Sequence, residues 1–206
     1  MNPSGQPGAP PRLDADGVLL HADDGAAGGP GLLARLLAWD EATLLAARRW
    51  RKPGRTLAAR SLTRLGNASS WTVAGLALLA TSTRTGLHLG LRLGAAAGLA
   101  TLLSAALKRL LNRARPDVAI EGFVPVAANP DRFSFPSGHT AAAFAVAAAF
   151  AGAPFAGAPF GLGPAALALA LGIGASRVYL GAHYPLDVGA GALLGTLAGL
   201  VARLVA

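Results

Sequence analysis

Three short stretches hold most of the chemistry this chain could perform: KRLLNRARP at 108–116, PSGH at 136–139 and SRVYLGAHYPLD at 176–187. They bring cations, two imidazoles and a carboxylate together in a chain that is only 14% charged. Lys108 and Arg115 stand seven positions apart, nearly two helical turns, so they point to one side of a helix end. Two cations placed that way could clamp a phosphate at a membrane surface. Basic residues at helix ends also reach for headgroups without doing chemistry, and for this pair that reading stays open. Arg109 and Arg113 carry no further signal.

Pro136–His139 precedes an Ala-rich run at 141–149. Ser137 suits an N-cap, which sets the backbone N–H groups of Gly138 and His139 at a helix N-terminus, a ready anion site. A plain helix start with a surface histidine accounts for the same residues. In the third stretch His183 follows Arg177 after five residues, and Asp187 follows after three more. Pro185 fits the first turn of a last helix, so Asp187 can reach back to His183. A carboxylate on an imidazole fixes its tautomer and stabilises positive charge on it. Asp187 could instead complement the helix dipole, and Arg177 could mark an interface.

The elements that position these residues are apolar. Hydrophobic residues make up 53% of 206, and there are 27 glycines, which suits close helix packing in lipid. Soluble domains average about 25% charged residues, so this chain lacks the polar residues to coat a water-facing surface. It has no cysteine, which excludes disulfides and thiolate metal sites. The net charge of +8 fits an anionic membrane better than nucleic acid, because aromatic and basic residues are not interleaved.

Residues 1–30 are rich in Pro, Gly, Ala and Asp and read as a disordered tail without signal-peptide features. Residues 31–47 read as an interfacial helix or a first span, the charges at Arg35, Asp40 and Glu41 favouring the interface. Residues 48–64 form a basic connector with six Arg and one Lys. The run 65–83 is uncharged and long enough to cross a bilayer. Arg84 and Arg92 should bracket a short turn, with the next helix running from 93 to about Arg113 and stopping before Pro116. Residues 117–135 read as a loop. The uncharged stretch 133–176 should divide into two helices at 152–164, and a last apolar run covers 188–202. The predicted fold is all-α, a polytopic membrane helix bundle with five transmembrane helices and a possible sixth at 31–47.

Taken together the stretches resemble the type 2 phosphatidic acid phosphatase family, which shares its site with vanadium haloperoxidases. The family pattern is Lys, six residues, Arg-Pro; then Pro-Ser-Gly-His; then Ser-Arg, five residues, His, three residues, Asp. Lys108 and Arg115-Pro116, residues 136–139, and Ser176-Arg177, His183 and Asp187 match it without departure. The resemblance covers about 65–206, which reads as a membrane phosphatase domain. It implies that His183 is a nucleophile forming a phosphohistidine, that Asp187 orients it, and that His139 is the general acid. Lys108, Arg115 and Arg177, with the backbone of Ser137 and Gly138, would bind the phosphate. No metal or other cofactor is expected.

The apolar runs point to the integral-membrane branch, in a bacterial inner membrane. The expected substrate is a lipid phosphate, polyprenyl diphosphate first because the chain resembles bacterial undecaprenyl-diphosphate phosphatases. Phosphatidic acid and phosphatidylglycerol phosphate are the alternatives. A vanadate-dependent haloperoxidase is disfavoured, since halide oxidation gives no reason for lipid-facing helices. A small membrane transporter is a non-enzyme alternative, but transport needs no nucleophile. The positive-inside rule puts the site toward the cytoplasm, whereas membrane relatives usually present it outward; the outward placement is the expectation taken here. Nothing in the sequence sets the oligomeric state.

Overall fold

The computed structural model describes residues 31–127, 131–151 and 162–205. The expected tail at 1–30 and most of the expected turn at 152–164 lie outside these residues. The described chain is helical: α1 Leu32–Arg48, α2 Pro53–Leu65, α3 Ala68–Ala80, α4 Arg84–Leu111, α5 Pro116–Ala119, α6 Gly138–Phe150, α7 Leu162–Tyr179 and α8 Pro185–Val205. Its one bridge of strand type, among the described residues, joins Ala114 to Phe133. Two compact units divide the chain between Leu36 and Leu37. In the first, Leu32, Leu33 and Leu36 at the start of α1 are exposed. All that follows concerns the second.

Small residues set how closely the helices pack. Gly191, Gly195 and Gly199 form a ridge along α8. An added Cβ at Gly195 would stand 2.1 Å from the Ala141 carbonyl oxygen, and one at Gly199 would stand 2.1 Å from that of Ala145. The ridge therefore lies directly on the α6 backbone. Ala141, Ala145, Val146, Ala149 and Phe150 of α6 meet Leu93, Ala96, Ala97 and Ala100 of α4 and Ala198 and Ala202 of α8 in the main core. This is how helices associate where lipid supplies no hydrophobic drive, by close approach of small residues. On the outer faces Leu87, Leu91, Leu102 and Leu110 of α4 and Leu193, Leu197 and Leu204 of α8 are exposed, an apolar surface that suits lipid.

Among the described residues, α4 and α8 are long and apolar enough to cross a membrane. At 13 residues each, α3 and α6 are apolar but shorter; a rise of 1.5 Å per residue gives about 20 Å, less than a full hydrocarbon core.

Several boundaries differ from the sequence expectation. No turn lies between Arg84 and Arg92: α4 begins at Arg84, and Arg92 lies inside it. The turn falls earlier, where Ser82 takes φ 53°. Thr83 then caps α4, its hydroxyl oxygen accepting the Gly86 N–H at 3.0 Å. At the other end α4 stops at Leu111, because Asn112 adopts the left-handed conformation and its N–H closes on the Lys108 carbonyl. The basic connector is helical over most of its length as α2, which starts with Pro53 in the first turn. Pro116 and the first three residues of the expected loop form α5.

Candidate active site

The C-terminal ends of α4 and α7 and the N-terminal ends of α6 and α8 carry the candidate residues, and hydrogen bonds between them hold these ends together. The Ser137 N–H donates to the Asp187 carbonyl at 2.9 Å, tying the start of α6 to the first turn of α8. Ser104 of α4 donates to the Pro136 carbonyl at 3.5 Å. An added Cβ at Gly138 would stand 3.3 Å from Ser104 Oγ.

His183 lies in the turn between α7 and α8, where the Arg177 carbonyl accepts both the Ala182 and the His183 N–H, at 3.0 and 3.3 Å. Gly181 makes this turn possible. Its φ is +78°, and a Cβ there would stand 2.8 Å from the Phe123 ring. Pro185 opens α8, and Asp187 falls in the first turn. The His183 Nδ1 faces Asp187 Oδ2 at 3.5 Å with both side chains buried, longer than a formed hydrogen bond. Catalytic pairs without substrate are often this long and tighten on binding. Asp187 Oδ2 also accepts the Tyr184 N–H at 2.9 Å. On the other side of the ring, His183 Nε2 stands 3.4 Å from Arg115 Nη1. Burial first, and then the cations Arg177, Arg115 and Lys108, push the His183 imidazole well below its ordinary value, so it is neutral at pH 7.

Arg115 is anchored by donating to the Ala182 carbonyl at 2.8 Å and, through Nε, to the Asp131 carbonyl at 2.8 Å. The Asp131 carboxylate pairs with both Arg115 and Lys108, the latter at 2.5 Å. Burial works to raise the Asp131 carboxyl, but hydrogen bonds from Lys108 and Arg115 outweigh it and hold the carboxyl below its usual range. Arg177 donates to Thr63 Oγ1 of α2 at 2.6 Å, while its Nε is buried with no hydrogen-bond partner among the described residues. His139 Nε2 meets Asn67 Oδ1 at 2.7 Å. Arg177, Lys108 and Arg115 all act electrostatically on both His139 and His183. Ser137 occupies the N-cap position of α6 but makes no side-chain cap bond. Its hydroxyl turns instead to Thr140 Oγ1 at 2.9 Å.

The structure thus gathers Lys108, Arg115, Ser137, Gly138, His139, Arg177, His183 and Asp187 at one end of the helices. A neutral imidazole backed by a carboxylate, beside cations and a second imidazole, can attack an electrophile that carries negative charge. Among the described residues, no group of three or more His, Asp or Glu side chains could hold a metal ion.

Sequence reasoning missed five residues here. Arg113 carried no signal, yet it bridges Asp187 at 2.7 Å and the buried Asp40 of α1 at 2.6 Å. In the sequence Asp40 stands out only as a charge that disfavours a membrane span, although an ionisable residue in an apolar helix is itself a pointer to function. Asp131, Asn67 and Thr63 contact Lys108, His139 and Arg177 from positions with no local pattern to find them.

The PAP2 superfamily matches residues 89–206. Among curated relatives, the lipid A 1-phosphatases of Rhizobium johnstonii and Rhizobium etli are each 38% identical over 103 residues, which is 48% of this chain. The chain spans about two fifths of their length, 40% and 42%. The bacitracin transport permease protein BcrC of Bacillus licheniformis is 46% identical over 67 residues, 32% of this chain and 30% of that protein. Among solved structures, Aquifex aeolicus LpxE superposes with a TM-score of 0.64 at 28% identity, covering 77% of this chain and 91% of its own. A transmembrane PAP2-type phosphatidylglycerolphosphate phosphatase from Bacillus subtilis gives 0.65 at 29%, covering 83% and 86%. The family match runs from within α4 to the end of the chain and so takes in every residue from Lys108 to Asp187 that the site gathers; the chain belongs to the PAP2 superfamily.

Proposed function

We propose that this protein is a membrane lipid-phosphate phosphatase that works through a phosphohistidine on His183. The observation that carries the reading is the buried, neutral His183 set between Asp187, whose Oδ2 faces Nδ1 at 3.5 Å, and Arg115, whose Nη1 stands 3.4 Å from Nε2. With Nδ1 directed at Asp187, Nε2 is the nitrogen that attacks phosphorus. The bond to the lipid oxygen breaks, and His139 protonates that oxygen. Water then attacks the phosphohistidine, His139 takes its proton, and inorganic phosphate leaves. This role needs His139 as the imidazolium at the start of the cycle: its Nε2–H donates to Asn67 Oδ1, and its Nδ1–H is the proton given to the leaving oxygen and regained from water. Lys108, Arg115 and Arg177 balance the non-bridging oxygens, together with the backbone at Ser137 and Gly138. The buried, unpartnered Arg177 Nε supports this assignment.

Polyprenyl diphosphate is the proposed substrate, supported by the resemblance to bacterial undecaprenyl-diphosphate phosphatases. The names of the relatives favour other lipid phosphates, lipid A 1-phosphate and phosphatidylglycerol phosphate. The membrane reading adds α3, α6 and α7 to α4 and α8 as crossings, in the bacterial inner membrane.

The test is purified protein against polyprenyl diphosphate, lipid A 1-phosphate, phosphatidylglycerol phosphate and phosphatidic acid, with released phosphate measured. Activity in excess chelator is expected, because cations of the chain neutralise the phosphate; a strict magnesium requirement would contradict the mechanism. Labelled phosphate trapped on quenching should sit on His183 and vanish in His183→Ala. Label on another residue would reassign the nucleophile.

A further inference from the structure

Resting on the phosphatase reading above, we propose that Asp40 of α1 is a positioning residue, which through Arg113 holds the Asp187 carboxylate in place behind His183 and gives the cluster of three side chains a net negative charge. Asp40 precedes the segment matched by the family, which begins at residue 89.

The geometry is a chain of three side chains. Asp40 and Asp187 are both fully buried, and the Arg113 guanidinium lies between them. Nη2 donates to Asp40 Oδ2 at 2.6 Å and Nη1 to Asp187 Oδ1 at 2.7 Å. The guanidinium also lies over the Tyr184 ring, 4.2 Å from its centroid, which fixes its plane. Asp40 Oδ1 accepts the Leu186 N–H at 2.7 Å, so the same carboxylate caps α8 one residue before Asp187.

The charges decide what Asp40 is for. Arg113 and Asp187 alone would make a neutral pair, and the carboxylate behind His183 would spend its charge on the guanidinium. A second carboxylate on the other side of Arg113 leaves the trio with a net negative charge. That charge is what an imidazole needs as phosphorylation makes it cationic. Capping α8 does not require it, since asparagine caps a helix as well as aspartate does. Asp40→Asn therefore keeps the acceptor for Leu186 and the shape of the side chain, and removes the charge together with the acceptor for Arg113 Nη2, because the amide NH2 there can only donate.

The experiment uses the purified full chain in detergent and the lipid phosphate that the wild type hydrolyses best. Asp40→Asn should lower kcat about 10- to 100-fold, by analogy with the loss of a side chain that orients a metal-bound imidazole, with KM within about twofold because Lys108, Arg115 and Arg177 are intact. The double variant Asp40→Asn/Arg113→Gln should be no worse than Arg113→Gln alone, as expected of residues that act as a unit. Nitrogen-15 histidine NMR supplies a readout that turnover does not enter. The His183 signal, identified by its loss in His183→Ala, should show a proton on Nδ1 in the wild type and a mixture of tautomers in Asp40→Asn. An Asp40→Asn protein with wild-type kcat, or an unchanged His183 tautomer, overturns the proposal. So does an additive double variant. Should Asp40→Asn fail to fold, Arg113→Lys, which keeps the charge but not the two-pronged contact, must show the same loss of kcat and the same tautomer mixing; wild-type behaviour there overturns the proposal as well. A wild type that releases phosphate from no lipid phosphate refutes the phosphatase reading instead, and the tautomer measurement still decides the role of Asp40.

Discussion

At the scale of single residues, the structure keeps one buried imidazole, His183, neutral among cations. Burial and the charges of Arg177, Arg115 and Lys108 all favour the neutral form of His183, and Asp131 opposes them only weakly. The folded protein therefore declines a proton that the unfolded chain accepts near pH 6.5. Two consequences follow in sign. The imidazole proposed as nucleophile stays neutral well below pH 6.5, and His183 costs stability as pH falls through the unfolded value, because the unfolded state then binds more protons. A histidine NMR titration should find His183 still neutral at pH 6.5; a midpoint at or above that value would refute this electrostatic account. Asp131 sets a second expectation. Its carboxylate sits on Lys108 and Arg115, the two cations proposed to take the phosphate. Substrate and product must displace it. Asp131→Asn should then strengthen inhibition by inorganic phosphate, on the order of fivefold for a pair this exposed. Unchanged phosphate inhibition would mean that the carboxylate does not compete.

At the scale of elements, the proposed catalysis depends on two helix N-termini being held side by side. Where Gly195 touches the Ala141 carbonyl, any side chain must drive α8 from α6, and with it Asp187 from Ser137 and His139. Gly195→Val should lower the melting temperature, at a cost of about 1–3 kcal/mol for overpacking, and reduce kcat. Gly189→Ala, on the same helix with nothing within 4 Å of the added Cβ, should leave both intact. Equal behaviour of the two variants would refute the docking role. The motifs were legible in sequence because each depends on local spacing: Asp187 follows His183 by one helical turn, and Pro185 marks the start of α8. Partners that come from afar were not. Arg113 meets Asp40 and Asp187 from 73 and 74 residues away, and nothing near Arg113 in the chain announces either. The misplaced turn has a local cause of another kind. Arg84 and Arg92 were weighed as charges that end a span, whereas Thr83 supplied a cap that outweighed them.

At the scale of the whole molecule, the open question is which membrane face the site occupies, and the structure changes the weight of the charges involved. The basic stretch stands at the site's end of the helices: Arg51 donates to the Tyr179 carbonyl at 3.2 Å and the Lys52 N–H to the Tyr179 hydroxyl at 3.0 Å. Arg84 and Arg203 lie at the opposite ends of α4 and α8. Counted alone, this asymmetry directs the site toward the cytoplasm. Many of these cations, however, have structural partners. Arg48 lies over Phe123, Arg55 over Trp50, and Arg113 is held by two carboxylates. Lys108, Arg115 and Arg177 belong to the proposed phosphate site. Charges retained for packing and binding say less about insertion than charges free in a loop. An outward site is therefore the expectation kept, and it suits a carrier lipid whose phosphate is removed after export. Val124 tests it. It is 70% exposed and lies in the loop fixed at the site's end by the Val126 N–H donating to Leu180. The chain has no cysteine of its own, so Val124→Cys gives a background-free label. An impermeant thiol reagent should modify it in intact cells. Modification only after permeabilisation would place the site in the cytoplasm and turn the substrate search to lipids made on the inner leaflet, phosphatidylglycerol phosphate first.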